Sequence, residues 1–153
     1  MKVLTDTLLD QLTTDAKNSP RLRTHYNLHE SVDEPIHRLA IAIEPGSYIR
    51  PHRHLHGNKF ELFMLLRGSG DVLVFDDFGN ITDRHKMGGQ EAVKVVELSA
   101  KKWHCFIARE TGTVALEVKP GPYFKPPEED FAQWAPKEGE PKTAEFLQLR
   151  LND

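Results

Sequence analysis

Between residues 36 and 119 the chain breaks into short apolar runs separated by turn residues, and no helical periodicity interrupts them. IHRLAIAI (36–43), FELFMLL (60–66), DVLVF (71–75), ITDRHKM (81–87), EAVKVVEL (91–98), WHCFIA (103–108) and TVALEVK (113–119) read as strands. Glu44-Pro45-Gly46, Arg67-Gly68-Ser69-Gly70, Asp76-Asp77-Phe78-Gly79-Asn80 and Gly88-Gly89 read as the turns between them. Strands recurring every ~8–12 residues specify an all-β sandwich or barrel.

The flanks differ from this core. Leu8, Leu9, Leu12 and Ala16 recur at helical spacing behind Thr5, a suitable N-cap, and Asn18-Ser19-Pro20 stops the helix. RLRTHYNLHES (21–31) alternates His25, Asn27 and His29 against Tyr26 and Leu28. After residue 119, PGPYFKPPEED holds four of the chain's ten prolines and resists ladder structure. With Tyr123, Phe124, Phe131 and Trp134 it reads as a segment lying on the barrel or supporting a dimer contact. Residues 143–151 read as a short terminal helix or a tail. The expected organisation is one domain over 1–153: a helix over about 5–17, a barrel over about 21–119, and an extension over 120–153.

Within this frame the stretch GSYIRPHRHLHGNKFELFMLLRG (46–68) is chemically distinctive. His52, His54 and His56 stand at alternate positions, so in an extended chain they share one side. Glu61 heads an apolar strand that reads as covered on both faces. A carboxylate buried there needs a partner. His104, at the start of a later strand, can come opposite this stretch once the sheet curls closed. His52, His54, Glu61 and His104 are the expected ligands of one divalent transition ion. Three imidazoles and a carboxylate suit iron, manganese, nickel, cobalt or zinc without choosing among them. His56 either replaces His54 or lines the pocket. Two residues before the end of a Gly57-Asn58 turn, it is expected outside the shell. His29, Arg38 and Tyr48 are candidate pocket residues. Arg38 shares a strand face with Ala40 and Ala42, which leaves room for its guanidinium to reach into a cavity or out to water.

Other chemistries compete poorly. Cys105 adjoins His104, so the two side chains point to opposite faces and make no nucleophile pair. Neither Gly68-Ser69-Gly70 nor Gly88-Gly89 opens a helix as a phosphate loop would. With 20 Lys and Arg against 23 Asp and Glu, intermixed, the net charge of −3 offers no basic stripe for nucleic acid. The single cysteine excludes an internal disulfide and suits a reducing compartment. No apolar run approaches the ~20 residues of a membrane helix, and a cytoplasmic location is expected.

The order Gly46, His52-Arg53-His54, Glu61, Gly68 resembles the first cupin motif, with two extra residues between His54 and Glu61, so that the loop there must bulge. His104 matches the histidine of the second motif, although Ser99-Ala100-Lys101 stands where that motif has proline and glycine. More narrowly, RTHYNLHES, EPGSYIRPHRH, FELFMLLRG, FDDFGN, WH and EVKPGPY with WAP are similar to WbuC-type cupin-fold metalloproteins, over residues 20–136. The resemblance implies a double-stranded β-helix, or jelly-roll barrel, with a metal on His52, His54, Glu61 and His104. It also implies a place in bacterial O-antigen and other surface-polysaccharide biosynthesis. The expected ligand is a small, sugar-derived molecule, and a homodimer is expected. Three functions follow as expectations. The first is an enzyme using the metal as a Lewis acid, with His29, Arg38 or Tyr48 as acid–base or anion-binding groups. The second is a non-catalytic sugar-binding or sensing module with a structural metal. The third is an iron-dependent, dioxygenase-like cupin.

Overall fold

A computed structural model describes residues 1–57 and 59–152; Asn58, and with it the expected Gly57-Asn58 turn, lies outside the described residues. In chain order the elements are α1 (Asp6–Asn18), β1 (Arg23–Asn27), β2 (Ile36–Ile43), β3 (Glu61–Arg67), β4 (Ser69–Phe75), β5 (Ile81–Gly88), β6 (Val95–Leu98), β7 (Trp103–Ala108), β8 (Thr113–Pro120) and α2 (Thr143–Asn152). The strands form two antiparallel sheets, ordered β1-β2-β8-β3-β6 and β5-β4-β7. Ile43, Phe63 and Val96 from the first sheet meet Val72, Met87 and Phe106 from the second in a dry core. This is the all-β architecture expected from the strand rhythm, in the jelly-roll form that the cupin resemblance implies.

Helix α1 starts where Thr5 Oγ1 accepts from Leu8 N at 3.3 Å. Its Leu9, Leu12 and Ala16 bury against Ala40, Ala42 and Val114, the outer face of β2 and β8. The small residues of β2 therefore make room for a helix rather than for a guanidinium. Arg38, on that outer face, pairs with Glu34 instead. The inner face of β2 carries His37, Leu39, Ile41 and Ile43, and it is this face that meets the cavity side of β8.

Three boundaries differ from the sequence reading, each for a packing reason. Strand β3 is not covered on both sides: Met64 and Leu66 remain 38% and 37% exposed, because α1 lies over β1, β2 and β8 and reaches β3 only through Arg67, which takes Asp6 and Asp10. Strand β4 begins at Ser69, inside the expected turn. Gly70 serves close approach there, since a Cβ would meet Phe106 Cζ at 2.4 Å; the turn itself falls on Gly68, at φ +78°. Strand β6 shrinks to Val95–Leu98.

The turn before β7 concerns the missing proline–glycine motif. Lys101 sits at φ 69°, the left-handed conformation that glycine adopts at little cost. The backbone path leading to His104 is thus kept with a residue strained by about 1–2 kcal/mol. Replacing Lys101 with Gly should stabilise the protein by about 1 kcal/mol after glycine's own entropy cost. Urea denaturation measures this directly, and an unchanged or lower midpoint would show that the turn stores no strain.

Candidate metal centre

Three separated stretches of chain build the centre. Glu61 opens β3 and His104 lies near the start of β7. His52 lies in an extended segment that is no regular strand, but it is bridged on both sides, by His104 and by Phe131. His52 N donates to His104 O at 3.0 Å and His104 N donates back to His52 O at 2.9 Å. On the other flank Arg53 N donates to Asp130 O and Ala132 N to Pro51 O, both at 2.9 Å. The C-terminal segment therefore lies on the barrel and holds the histidine stretch in place. Arg50 and Tyr48 tie the same two segments together: Arg50 Nη2 donates to Ala132 O at 2.8 Å and Tyr48 Oη to Pro136 O at 2.7 Å.

The side chains of His52, His54, Glu61 and His104 converge, each offering one ligand atom, with all four atoms within 4.8 Å of one another. Two backbone carbonyls set the imidazole tautomers. His52 Nδ1 donates to Arg50 O at 3.0 Å and His104 Nδ1 to Lys102 O at 2.8 Å, which leaves each Nε2 turned inward. His104 Nε2 lies 2.7 Å from Glu61 Oε2, and His54 Nε2 lies 2.8 Å from Glu61 Oε1. The donor set and the tautomers fit a divalent transition ion, so the cluster could hold one.

Electrostatics reinforce the convergence. Glu61 is 2% exposed. Burial alone would raise its pKa, but Lys119 and the two histidines outweigh it and hold the carboxyl well below its ordinary range. Burial with the neighbouring His104 pushes His52 down to about 3, so this imidazole stays neutral, as a ligand must. Burial is the largest single effect on His104 and disfavours its charged form, but the hydrogen bond and charge of Glu61, with the Lys102 carbonyl, together outweigh it and raise its pKa.

Two residues of the centre escaped the sequence reading. Lys119 Nζ bridges Glu61 Oε1 at 3.1 Å and Glu117 Oε1 at 2.5 Å. Glu117 is 5% exposed, and burial pushes its carboxyl up to about 7. Both lie on the inner face of β8, in register with Leu39 and His37 of β2. The signal was present: Glu117 interrupts the apolar run TVALEVK as Glu61 interrupts its own strand. Together with His52, Phe63, Phe106 and Ile41, these residues line a barrel cavity of about 260 Å³ whose mouth carries Arg21, Arg23 and His25.

The candidate pocket residues lie elsewhere. His29 is buried, its ring stacked on His37 at 4.2 Å, and its Nδ1 accepts from Arg38 N at 3.1 Å. Tyr48 packs in the core beside Leu73, Phe75 and Trp103, where burial raises its phenol. His56 faces outward to Glu129 at 3.0 Å, at the edge of a second cleft. Arg38 lies on the outer face, as described above. Cys105 is buried with its thiol pushed up to about 12 by desolvation, consistent with its exclusion as a nucleophile. Among the described residues no helix is long and apolar enough to cross a membrane.

The chain belongs to the family described as Domain of unknown function (DUF6016), which matches residues 4–87. No curated protein matches it. Solved structures share its fold at low identity. The conserved protein SPY1581 of unknown function from Streptococcus pyogenes is 12% identical, with a TM-score of 0.53 over 80% of this chain and 90% of that one. KdgF from Halomonas sp. is 11% identical, with a TM-score of 0.52 over 69% and 84%. Oxalate oxidase in complex with the substrate analogue glycolate is 14% identical, with a TM-score of 0.51 over 68% and 53%. These likenesses support the cupin-type jelly roll that the sequence motifs led us to expect.

The pKa of Glu117 yields a pH test. An ordinary glutamate, at 4.5, releases its proton in the unfolded chain well before the folded chain does at about 7. The folded state therefore binds more protons between these values, and this group's stabilising contribution, full below 4.5, is lost as pH rises to about 7. Carbon-detected NMR titration of metal-free protein should place the Glu117 carboxyl midpoint near 7, and Glu117→Gln should flatten the fall in stability across that window. A Glu117 midpoint near 4.5 would overturn the burial argument.

Proposed function

We propose that this chain is a metal-dependent cupin enzyme of the WbuC type, acting on a small sugar-derived molecule in bacterial surface-polysaccharide (O-antigen) biosynthesis. One observation carries the metal reading: four ligand atoms from three chain segments lie within 4.8 Å of one another, two of them on imidazoles whose tautomers are fixed from behind. The assignment to sugar chemistry rests on the sequence resemblance, since a fold alone selects no reaction. Its setting would be the cytoplasm, and its working form a homodimer.

In this reading His52, His54, Glu61 and His104 hold one divalent transition ion. When bound, it supplies Lewis acidity to a substrate oxygen. The protein's own contribution is positional. Arg50 and Lys102 carbonyls fix two imidazoles, Lys119 restrains the Glu61 carboxylate, and Phe63, Phe106 and Ile41 give the otherwise polar cavity one apolar wall. Arg21 and Arg23 share the single carboxylate of Glu138, which leaves one cationic charge beside the cavity for a substrate phosphate or carboxylate.

Elemental analysis of untagged protein, purified without added metal, should find about one transition-metal ion per chain. Glu61→Ala and His104→Ala should each lower metal content at least tenfold, whereas His56→Ala should leave it unchanged. Full retention in both of the first two variants would refute the ligand set. Metal-stripped protein that turns over sugar-derived substrates as fast as loaded protein would refute the role of the metal. Tight ligand binding without turnover on any metal would favour a sensing module.

A further inference from the structure

A second cleft, of about 240 Å³, borders the centre at His54 and Lys119. It opens between the loop that carries His54, His56 and Lys59 and the proline-rich segment after β8. The two cavities share Lys119; the cleft touches His54, while the barrel cavity touches His52, Glu61 and His104. The centre therefore borders both cavities.

The cleft has a wall and a charge. Pro120, Pro122, Pro126 and Pro127 form a stiff apolar floor, since each proline fixes its own φ. Tyr123 and Phe124 stand at the rim, 54% and 70% exposed, although large apolar rings are ordinarily withdrawn from water. They are nonetheless held in place: Tyr123 N donates to Val32 O at 2.8 Å, and Lys59 Nζ lies 5.4 Å from the Phe124 ring centroid. Lys59 Nζ donates to Pro122 O at 2.8 Å, a partner that leaves its charge uncancelled. Lys125 is exposed at the same rim. Among the described residues no carboxylate pairs with Lys59 or Lys125 in an ion pair. The acid lining the cleft, Asp130, is 5% exposed and accepts from Leu55 N at 3.2 Å.

We propose that this cleft binds an anionic ring compound, a phosphate ester or carboxylate whose flat apolar face packs on Tyr123 and Phe124 while its anion meets Lys59 and Lys125. Preformed apolar walls with a few convergent charges are what a small-ligand site requires, and rigid walls lower the ordering cost of binding. Binding in the cleft is independent of the metal. Only the direction of the bound ligand, toward His54 and Lys119, rests on the proposed metal centre.

The test uses phenyl phosphate, glucose 1-phosphate, benzoate and inorganic phosphate as probes of full-length, isotopically labelled protein, both metal-stripped and manganese-loaded. Phenyl phosphate should bind at least tenfold more tightly than inorganic phosphate and shift the amide signals of Lys59, Tyr123, Phe124 and Lys125. Glucose 1-phosphate matching phenyl phosphate identifies a sugar ring as the natural face, and benzoate matching it identifies a carboxylate as the anion; both support the site. Tyr123→Ser with Phe124→Ser, two exposed positions, should reduce phenyl phosphate to the affinity of inorganic phosphate. Lys59→Met with Lys125→Met should weaken both probes. Equal affinity for phenyl and inorganic phosphate, or shifts confined to Arg21 and Arg23 at the barrel mouth, would overturn the proposal. Cleft binding by protein that takes up no manganese when it is supplied would leave this site standing while the metal reading failed, so the two fail separately.

Discussion

The structure depends on a carboxylate placed where water cannot reach it. Glu61 is almost fully buried at the head of β3, and an ionised carboxylate in such a place is tolerated only with close partners. It has three: His54, His104 and Lys119, all within 3.1 Å. Each comes from a different part of the chain, so the requirements of one acid draw together the loop before β3, the start of β7 and the end of β8. The barrel must close for the charge to be satisfied, and once it closes the ligand atoms are already gathered.

The same economy explains the C-terminal segment. His52 lies between β2 and β3 and has no regular ladder of its own, so its position depends on His104 on one flank and Phe131 on the other. Trp134 then covers Gly79, whose Cβ would clash with the indole at 2.7 Å, and packs on Phe75. Helix α2 completes this layer: Arg84 and Arg109 meet at buried Asp71 and also donate to the carbonyls of Arg150 and Leu151 near its end. The segment that reads from sequence as lying on the barrel does lie there, and it fixes one wall of the centre.

Much of this was legible in residue order. Strand rhythm gave the all-β core because alternation and turn chemistry are local. His52, His54, Glu61 and His104 could be singled out because imidazoles and a lone acid in apolar runs are conspicuous. The misplaced features were those decided by tertiary contact. The small face of β2 reads equally well as the lining of a cavity or as the seat of a helix, and only α1 decides for the helix, turning Arg38 outward. Gly70 reads as a turn until Phe106 is found where its Cβ would stand. Glu117 and Lys119 sit at the end of a strand, where charges usually mean solvent, and their inward direction follows from register with Leu39 and His37.

Charge balance links the centre to both cavities. Without an ion, Glu61 and Glu117 face Lys119 and a His104 whose pKa is raised by Glu61, so opposite charges offset one another inside the barrel. A divalent ion held by His52, His54, Glu61 and His104 would take the place of the His104 proton and bring two charges of its own, so the balance would move to the positive side. Arg21 and Arg23, sharing Glu138, line the barrel cavity, and Lys59 and Lys125 line the cleft. In a low-dielectric site such an excess would act on whatever enters. On the proposed reading, a metal-loaded centre would favour anionic ligands even before any specific contact, and the two lysines of the cleft would extend the same preference to the surface.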